Sequence, residues 1–254
     1  MDIHTTLKIG EFHTNNCEDF LINELIGSNE RLIAVMDGCT MGEESVFASM
    51  LLGKILRKIS KRLFYQEFLS QSNISINDKL KNILSELIID LKDIKNRLGL
   101  ETNELLSTLI IGVIYNQNKA EIITIGDGLV VCDTKEYEYE QNDKPDYLGY
   151  HLTEDFEEWY NSLDQKLSIS SFNDLSISTD GIFSFKNLKN KQKQKSQSEI
   201  INFLLKERKK YNRENFLDVK VRKLKDEWDH IVTDDLAIIR IIRYGLATKK
   251  WTFS

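Results

Sequence analysis

Cysteine, histidine and proline are scarce in this sequence, and their scarcity excludes several kinds of protein. The 254 residues include three cysteines, four histidines and one proline. Three widely spaced cysteines (Cys17, Cys39 and Cys132) are typical of a reducing compartment rather than a disulfide framework. The cysteines and histidines match no zinc-site spacing and no catalytic-triad spacing. No stretch rich in proline, glycine or serine divides the chain, so we predict a single domain over residues 1–254, with 244–254 as a C-terminal tail.

Long apolar runs and an excess of basic charge are also missing. No run approaches the roughly 20 residues that span a bilayer, and the N-terminus lacks the basic and then apolar segments of a signal peptide. The net charge of −6 and the pI near 5.4 argue against a general nucleic-acid-binding protein, which normally presents a basic face. We therefore expect a soluble cytoplasmic protein that binds neither nucleic acid nor membrane.

One basic block departs from this acidic balance. Residues 186–195 have the sequence KNLKNKQKQK. We interpret the block as a solvated loop, and a contact with a phosphate or a partner is the alternative.

Short apolar segments predict strands that come in groups. Their ranges are 6–12, 19–26, 31–37, 107–115, 119–126, 128–133, 174–181 and 234–244. The turn NQNK after residue 115 predicts an antiparallel hairpin. Helical patterns separate the groups, so the chain is predicted to be α+β and layered rather than a regularly alternating doubly wound sheet.

Apolar residues at helical spacing predict the helices between these groups. A first helix begins at about Glu43, and its predicted apolar stripe is Val46, Phe47, Met50, Leu51, Ile55, Ile59 and Leu63. A second helix follows, with Asn77 as its N-cap and Gly99 as its stop. A short helix is predicted around 154–163 and two helical segments over 196–226.

Four acidic sites share one context, the end of an apolar strand beside a turn. They are Glu18-Asp19, Asp37-Gly38, Asp180-Gly181 and Asp234-Asp235. Each alone is explained by a turn or a cap, since Asp-Gly is a common turn pair. A carboxylate beside a buried strand is costly unless it is paired, solvated or bound to a cation, and no Lys or Arg lies within or directly beside these motifs. Because oxygen ligands suit Mg²⁺ or Mn²⁺, the residues predict a carboxylate-bound metal pair.

The ordered motifs that contain these acids resemble those of the metal-dependent protein phosphatases of type 2C, the PPM family. The motifs are CEDF, VMDGCTMG, STLIIGVI, TIGDG, STDGIF and DDLAIIRI, within residues 6–243. The resemblance, which is to the bacterial type without long insertions, implies a four-layer α-β-β-α sandwich of two mostly antiparallel sheets flanked by helices. It also implies hydrolysis of phosphoserine or phosphothreonine in a protein substrate by water that two Mn²⁺ or Mg²⁺ ions activate. We expect the enzyme to be a monomer.

The resemblance implies roles for the acids of the first two motifs. Asp37 corresponds to the carboxylate that bridges the two metals, and the carbonyl of Gly38 to a further ligand. Glu18 corresponds to a ligand of one metal, directly or through water. Asp19 corresponds to an acid that orients bound water, so Asp37 and Asp19 are the implied catalytic residues.

The later motifs supply the other implied ligands. Asp180 and Asp234 correspond to the ligands of the second metal. Asp235 stands where the family often has Asn and is the weaker ligand candidate of its pair. Asp127, in GDG, corresponds to an acid that in some members helps to hold a third ion, and a hairpin turn explains it equally well.

Two positions depart from the family's pattern. The family commonly has a phosphate-gripping arginine four residues before the Glu of the acidic pair, where this chain has Thr14, and a hydroxyl cannot match a bidentate guanidinium. His13 and Lys8 are the nearby candidates to replace it, although a surface strand residue is the plainer interpretation of His13. Cys39 stands where animal enzymes often have a histidine that is proposed to protonate the leaving group. We interpret Cys39 as a small packed residue.

Two other functions stay open. The missing arginine allows a catalytically weak or inactive phosphatase-like module that binds a phosphoprotein or another regulator. Acidic clusters also occur in two-metal nucleases, although the chain lacks an evident basic channel for DNA. Binding of Mn²⁺ separates the enzyme from the module, and nicking of plasmid DNA identifies a nuclease.

Overall fold

The structure is a computed structural model that describes residues 1–13, 15–39, 45–69, 74–139, 145–209 and 213–243. Within these ranges the strands are β1 (Asp2–Lys8), β2 (Asp19–Gly27), β3 (Glu30–Asp37), β4 (Leu109–Tyr115), β5 (Lys119–Ile125), β6 (Gly128–Cys132), β7 (Lys135–Tyr139), β8 (Lys166–Ile169), β9 (Asp174–Ser178), β10 (Phe185–Asn187), β11 (His230–Val232) and β12 (Leu236–Ile242). The α-helices are α1 (Ser45–Leu69), α2 (Ile76–Leu98), α3 (Phe156–Ser162), α4 (Gln197–Ile201) and α5 (Phe216–Trp228).

The strands form two five-stranded sheets and one small ribbon. Sheet I has the order β1-β12-β9-β6-β7, sheet II has the order β2-β3-β4-β5-β8, and β10 pairs with β11. Every pairing between these strands is antiparallel. None of the described helices combines the length and the apolarity needed to cross a bilayer.

Three buried clusters separate four layers. Alternate residues of β3 point in opposite directions, so Leu32 packs with α1 and α2, whereas Ile33 packs between the two sheets. On the outer face of sheet I, residues of β12 such as Ile238 pack with Leu204, which follows α4, and with Leu217 of α5. The predicted α+β class and four-layer α-β-β-α sandwich are therefore confirmed.

Several predicted boundaries are confirmed. The β4–β5 hairpin is antiparallel, and Asn116 and Gln117 in its turn have φ of 50° and 64°. Gly99 caps α2 in the left-handed conformation, with φ of 67°.

Other boundaries are corrected. The strand predicted over 6–12 is Asp2–Lys8, because the chain leaves the sheet after Lys8 and the N–H of Glu11 donates to the carbonyl of Val232 at 3.0 Å. Ser75, not Asn77, caps α2, since its side chain accepts the N–H of Asp78. The prediction also missed β7 and β8, which lie in a polar part of the sequence, and the three-residue strands β10 and β11.

The buried face of α1 is rotated from the predicted stripe. Met50 is 40% exposed, whereas Leu52 and Leu56 are fully buried beside the predicted Ile55 and Ile59. The helix follows residues 40–44, which lie outside the described ranges, as does the predicted tail 244–254.

Close packing of α1 on β2 depends on Gly53. A Cβ at this position would lie 2.3 Å from the ring of Phe20, so we expect Gly53→Ala to displace the helix and to lower the free energy of unfolding by about 1–3 kcal/mol. Urea denaturation measures the change. The control is Lys54→Ala on the exposed side of the same helix, for which we expect a change within about 0.5 kcal/mol. A Gly53→Ala protein as stable as the control would contradict the close packing.

Candidate metal centre

The β2–β3 hairpin brings together the first group of acids. Asp19 begins β2, Asp37 ends β3, and the two residues lie directly opposite each other in the antiparallel register. Their carboxyl groups are within hydrogen-bond distance of each other. The N–H of Gly38 donates to the carbonyl of Glu18 at 3.1 Å. One hairpin therefore places all four predicted residues at one sheet end.

Neighbouring strands of sheet I bring the second group. Asp180 follows β9 and Asp234 precedes β12, and these strands are paired. The N–H of Asp234 donates to the hydroxyl of Ser184 at 3.1 Å. A Cβ at Gly181 would lie 1.7 Å from the carbonyl oxygen of Asp235, so only glycine allows this approach of the two backbones.

Asp127 occupies the turn that leads from sheet II to sheet I. It lies between Gly126 and Gly128, whose φ values of 89° and 134° favour glycine. Burial, and then the charge of Asp234, raises the pKa of Asp127. The turn therefore places the Asp127 carboxyl group within the electrostatic influence of Asp234, and its role in holding an ion stays a prediction.

A threonine joins the two groups of acids. The Thr179 hydroxyl donates to Oδ2 of Asp19 at 2.6 Å and accepts the N–H of Ala237 at 2.9 Å. Because Thr179 follows β9 in sheet I and Asp19 begins β2 in sheet II, this hydrogen bond ties the ends of both sheets together. The predicted acids thus converge at one end of the sandwich.

The acids raise one another's pKa values. Burial and then the charges of Asp19 and Asp180 raise the pKa of Asp37 well above its ordinary value. Burial raises the pKa of Asp19 to about 8. Burial and then the charges of Asp127 and Asp234 raise the pKa of Asp180 to about 7. Without a cation, this end of the sandwich favours protonated carboxyl groups.

These properties fit a divalent cation. Oδ1 of Asp19 is buried and accepts no hydrogen bond from a donor among the described residues. Asp37, Asp127 and Asp180 are each only partly buried, so an ion can reach them. Within the described ranges, no three His, Cys, Asp or Glu side chains surround one point as a complete ion site.

Asp235 has a different environment from the other acids. Its Oδ1 accepts the N–H of Gly10 at 2.7 Å and its Oδ2 accepts the N–H of Glu18. The side chain is 1% exposed and lies 3.0 Å from Nδ1 of His13. Both of its oxygens therefore accept hydrogen bonds from the protein, and its role as the weaker ligand candidate of the pair stays a prediction. It anchors the segment that leads to Glu18.

His13 lies in a turn against two acids and is not the surface strand residue of the plainer interpretation. Its Nε2 lies 3.4 Å from Oδ1 of Asp234, and its side chain is 22% exposed. Burial lowers its pKa, but the hydrogen bond and charge of Asp235 outweigh burial and raise it. His13 is thus the basic group beside the candidate ligands, and its contact with a substrate phosphate stays a prediction.

Lys8 does not replace the missing arginine. Its Nζ pairs with Oδ1 of Asp218 on α5 at 2.8 Å, on the outer side of sheet I. Thr14, which stands in the arginine's place, lies outside the described residues.

Tyr147 is a neighbour of the site that the sequence did not predict. Cys39 is 8% exposed, which supports its interpretation as a packed residue. Burial, and then a hydrogen bond with the Cys39 thiol, raises the pKa of the Tyr147 phenol, to which the charges of Asp37 and Asp127 also contribute. Tyr147 lies in a polar segment without a recognisable motif, so no sequence signal marked it.

The convergence of acids from both sheets, in a four-layer sandwich, agrees with the comparison to known families. The family model described as protein phosphatase 2C matches residues 13–218. The chain belongs to the protein phosphatase 2C family. No protein with a curated description matches the chain by sequence.

Solved structures share the fold of this phosphatase 2C chain. A bacterial serine phosphatase with one arginine-to-alanine mutation matches with a TM-score of 0.60 and 14% identity, over 95% of this chain and 98% of the other. Serine/threonine phosphatase Stp1 from Staphylococcus aureus matches with a TM-score of 0.59 and 12% identity, over 96% and 95%. A structure of the PP2C phosphatase domain of SpoIIE from Bacillus subtilis, with a fragment of its regulatory domain, matches with a TM-score of 0.57 and 14% identity, over 96% and 64%.

The raised pKa values of these acids predict how the stability of this phosphatase 2C domain depends on pH. Burial and neighbouring acids raise the pKa of Asp19 to about 8 and that of Asp180 to about 7, whereas an unfolded Asp has a pKa of about 3.9. The stability from these protonated groups is fully present below about pH 4 and is lost as the pH rises through about 7–8. In EDTA we therefore expect the Tm to fall between about pH 5 and about pH 8.5.

A bound cation should reverse this trend, because it favours the ionised carboxylates. We expect Mn²⁺ to raise the Tm at about pH 8 and to have little effect on Asp37→Asn, and differential scanning fluorimetry measures both. A Tm that stays constant or rises with pH in EDTA would contradict the interpretation.

The anchoring role of Asp235 predicts a loss of stability on truncation. Asp235→Ala leaves the N–H groups of Gly10 and Glu18 without their acceptor, so we expect about 2–4 kcal/mol less free energy of unfolding. Asp235→Asn keeps one acceptor oxygen and should lose less. Urea denaturation measures both variants against Asp226→Ala, an exposed acid on α5. Equal stability of Asp235→Ala and Asp226→Ala would refute the anchor.

Proposed function

We propose that this chain is a metal-dependent serine/threonine protein phosphatase. The supporting observation is the convergence of acids from both sheets at one end of a phosphatase 2C fold, with Asp37 affected by the charges of Asp19, Asp180 and Asp234. When bound, two Mn²⁺ or Mg²⁺ ions supply an activated water and neutralise the phosphoryl oxygens. The proposal includes a phosphoprotein substrate, action as a monomer and a cytoplasmic location.

The ligand roles follow the positions of the acids. Asp37 is proposed as the bridging carboxylate, with the Gly38 carbonyl and Glu18 beside it at the end of the hairpin. Asp180 and Asp234, which sheet I supplies, are proposed as the ligands of the second ion. Asp127 is proposed to hold a third ion, because its turn directs it toward the same acids.

Asp19 is proposed to orient the attacking water. The Thr179 hydroxyl holds Oδ2 of Asp19 at 2.6 Å. This hydrogen bond fixes the carboxyl rotamer and leaves Oδ1 to accept a hydrogen bond from water. His13 is proposed to contact the substrate phosphate, because its Nε2 lies 3.4 Å from Oδ1 of Asp234 at the candidate centre.

A catalytically weak or inactive binding module is the second candidate. Thr14 cannot form the bidentate phosphate contact of an arginine. His13, which lies beside the acids, already contacts Asp234 and Asp235. The family assignment lends no support to the nuclease alternative, and a plasmid-nicking assay with Mn²⁺ tests it.

The activity assay uses p-nitrophenyl phosphate and a phosphothreonine peptide with Mn²⁺. We expect turnover that EDTA abolishes, and a loss of at least about 100-fold in kcat/KM for Asp37→Asn, because effects of this size arise even from residues that only orient metal ligands. Asp226→Asn, the same change at an exposed acid, serves as the control and should retain activity.

Calorimetry with Mn²⁺ separates the two candidates. Turnover no higher than that of Asp37→Asn would contradict the phosphatase. If Mn²⁺ also fails to bind at about millimolar concentration, which is a weak affinity of about −4 kcal/mol, the chain is a module without metals.

A further inference from the structure

The basic block at 186–195 begins beside the candidate metal centre. Its first residues form β10, which pairs with β11, and β11 ends just before Asp234. The Thr233 hydroxyl donates to the carbonyl of Ser184 at 2.8 Å, and the Ser184 hydroxyl accepts the N–H of Asp234 at 3.1 Å. The same ribbon therefore carries a candidate ligand and the start of the basic block.

Side-chain hydrogen bonds hold the block in one conformation. The N–H of Asn187 donates to Oε1 of Gln194 at 2.8 Å, and Nε2 of Gln194 donates to the carbonyl of Phe185 at 3.1 Å. Oδ1 of Asn187 accepts the N–H of Asn190 at 2.8 Å. A loop that is held in this way presents its lysines at a small further entropy cost on binding.

The block carries more positive charge than nearby acids pair with. Lys186, Lys191 and Lys193 are exposed, and among the described residues no carboxylate lies within ion-pair distance of them. The acids of this region form ion pairs with other lysines, Asp229 with Lys189 and Glu199 with Lys195, and the charge of Lys193 acts on Asp229 at longer range. This excess is local, because the whole chain has a net charge of −6.

Two apolar side chains near Lys186 are exposed. Phe12 is 63% exposed and Leu188 is 54% exposed. Nζ of Lys186 lies 5.8 Å from the centre of the Phe12 ring. Phe12 precedes His13, whose Nε2 lies 3.4 Å from Asp234. Phe12 and Lys186 therefore border the candidate centre, and Leu188, Lys191 and Lys193 continue the exposed apolar and basic surface beyond the far end of the ribbon.

We propose that this surface (Phe12, Lys186, Leu188, Lys191 and Lys193) docks an acidic segment of the phosphoprotein substrate. The inference rests on the proposed phosphatase function and names its substrate class. The proposed ions contact the phosphoryl group itself, whereas the net charge of −6 on the whole chain repels acidic residues that flank it. The lysines of this surface offset that repulsion and attract such residues, and Phe12 and Leu188 contact apolar side chains among them.

Two phosphothreonine peptides of equal length test the inference. One carries Asp and Glu with a Leu beside the phosphothreonine, and the other carries Asn and Gln in place of the acids. We expect the wild-type protein to prefer the acidic peptide in kcat/KM, each value taken relative to p-nitrophenyl phosphate. The preference should be about tenfold, which corresponds to about 1.4 kcal/mol from three exposed charges. High salt should reduce it.

Charge reversal of the surface supplies the matched comparison. The triple variant Lys186→Glu, Lys191→Glu, Lys193→Glu should lose the preference. The control Lys54→Glu, Lys61→Glu, Lys92→Glu changes three exposed lysines of α1 and α2 by the same total charge and should keep it. Phe12→Ser should weaken hydrolysis of the acidic peptide relative to p-nitrophenyl phosphate.

The outcomes separate this inference from the proposed function. If the protein hydrolyses neither p-nitrophenyl phosphate nor peptide, the phosphatase fails, and fluorescence anisotropy of the labelled acidic peptide still tests docking. Hydrolysis without an acidic preference, or a preference that survives charge reversal, overturns the docking surface. Binding of single-stranded oligothymidine as tight as that of the acidic peptide would also overturn it, because the surface would then recognise polyanions in general.

Discussion

Repulsion among carboxylates at one end of the sandwich is the constraint on which the rest of this structure depends. Asp37 lies opposite Asp19 and within the electrostatic influence of Asp180 and Asp234. In the absence of a cation, such groups keep their protons at neutral pH or destabilise the fold. A fold that holds these carboxylates close together therefore favours the binding of divalent cations.

Contacts between distant parts of the chain fix the backbone positions of these acids. Two sheets pack through an apolar layer, and the hydrogen bond from Thr179 to Asp19 ties their ends together. Gly181 allows the two strands of sheet I to approach where a side chain would collide. Asp235 differs from the other acids, because backbone N–H groups donate hydrogen bonds to both oxygens of its carboxylate.

The surface beside the acidic centre carries a local excess of positive charge. In the function proposed above, cations bind at the acidic centre and contact the phosphoryl group but not the residues that flank it. A loop with exposed lysines lies on the same ribbon as Asp234, next to the exposed ring of Phe12. Joined in this way, the two charged regions suit a substrate whose phosphorylated residue lies among acids.

The sequence by itself determined the strand-end acids, the left-handed cap at Gly99, the β4–β5 hairpin and the α+β class, because each of these arises from neighbouring residues. Tertiary structure alone decided that Lys8 pairs with Asp218, that His13 contacts Asp234 and that Tyr147 reaches Cys39. It also decided where β1 ends. These features depend on contacts between segments far apart in the chain, and local hydrophobic periodicity carries no information about which distant groups will meet.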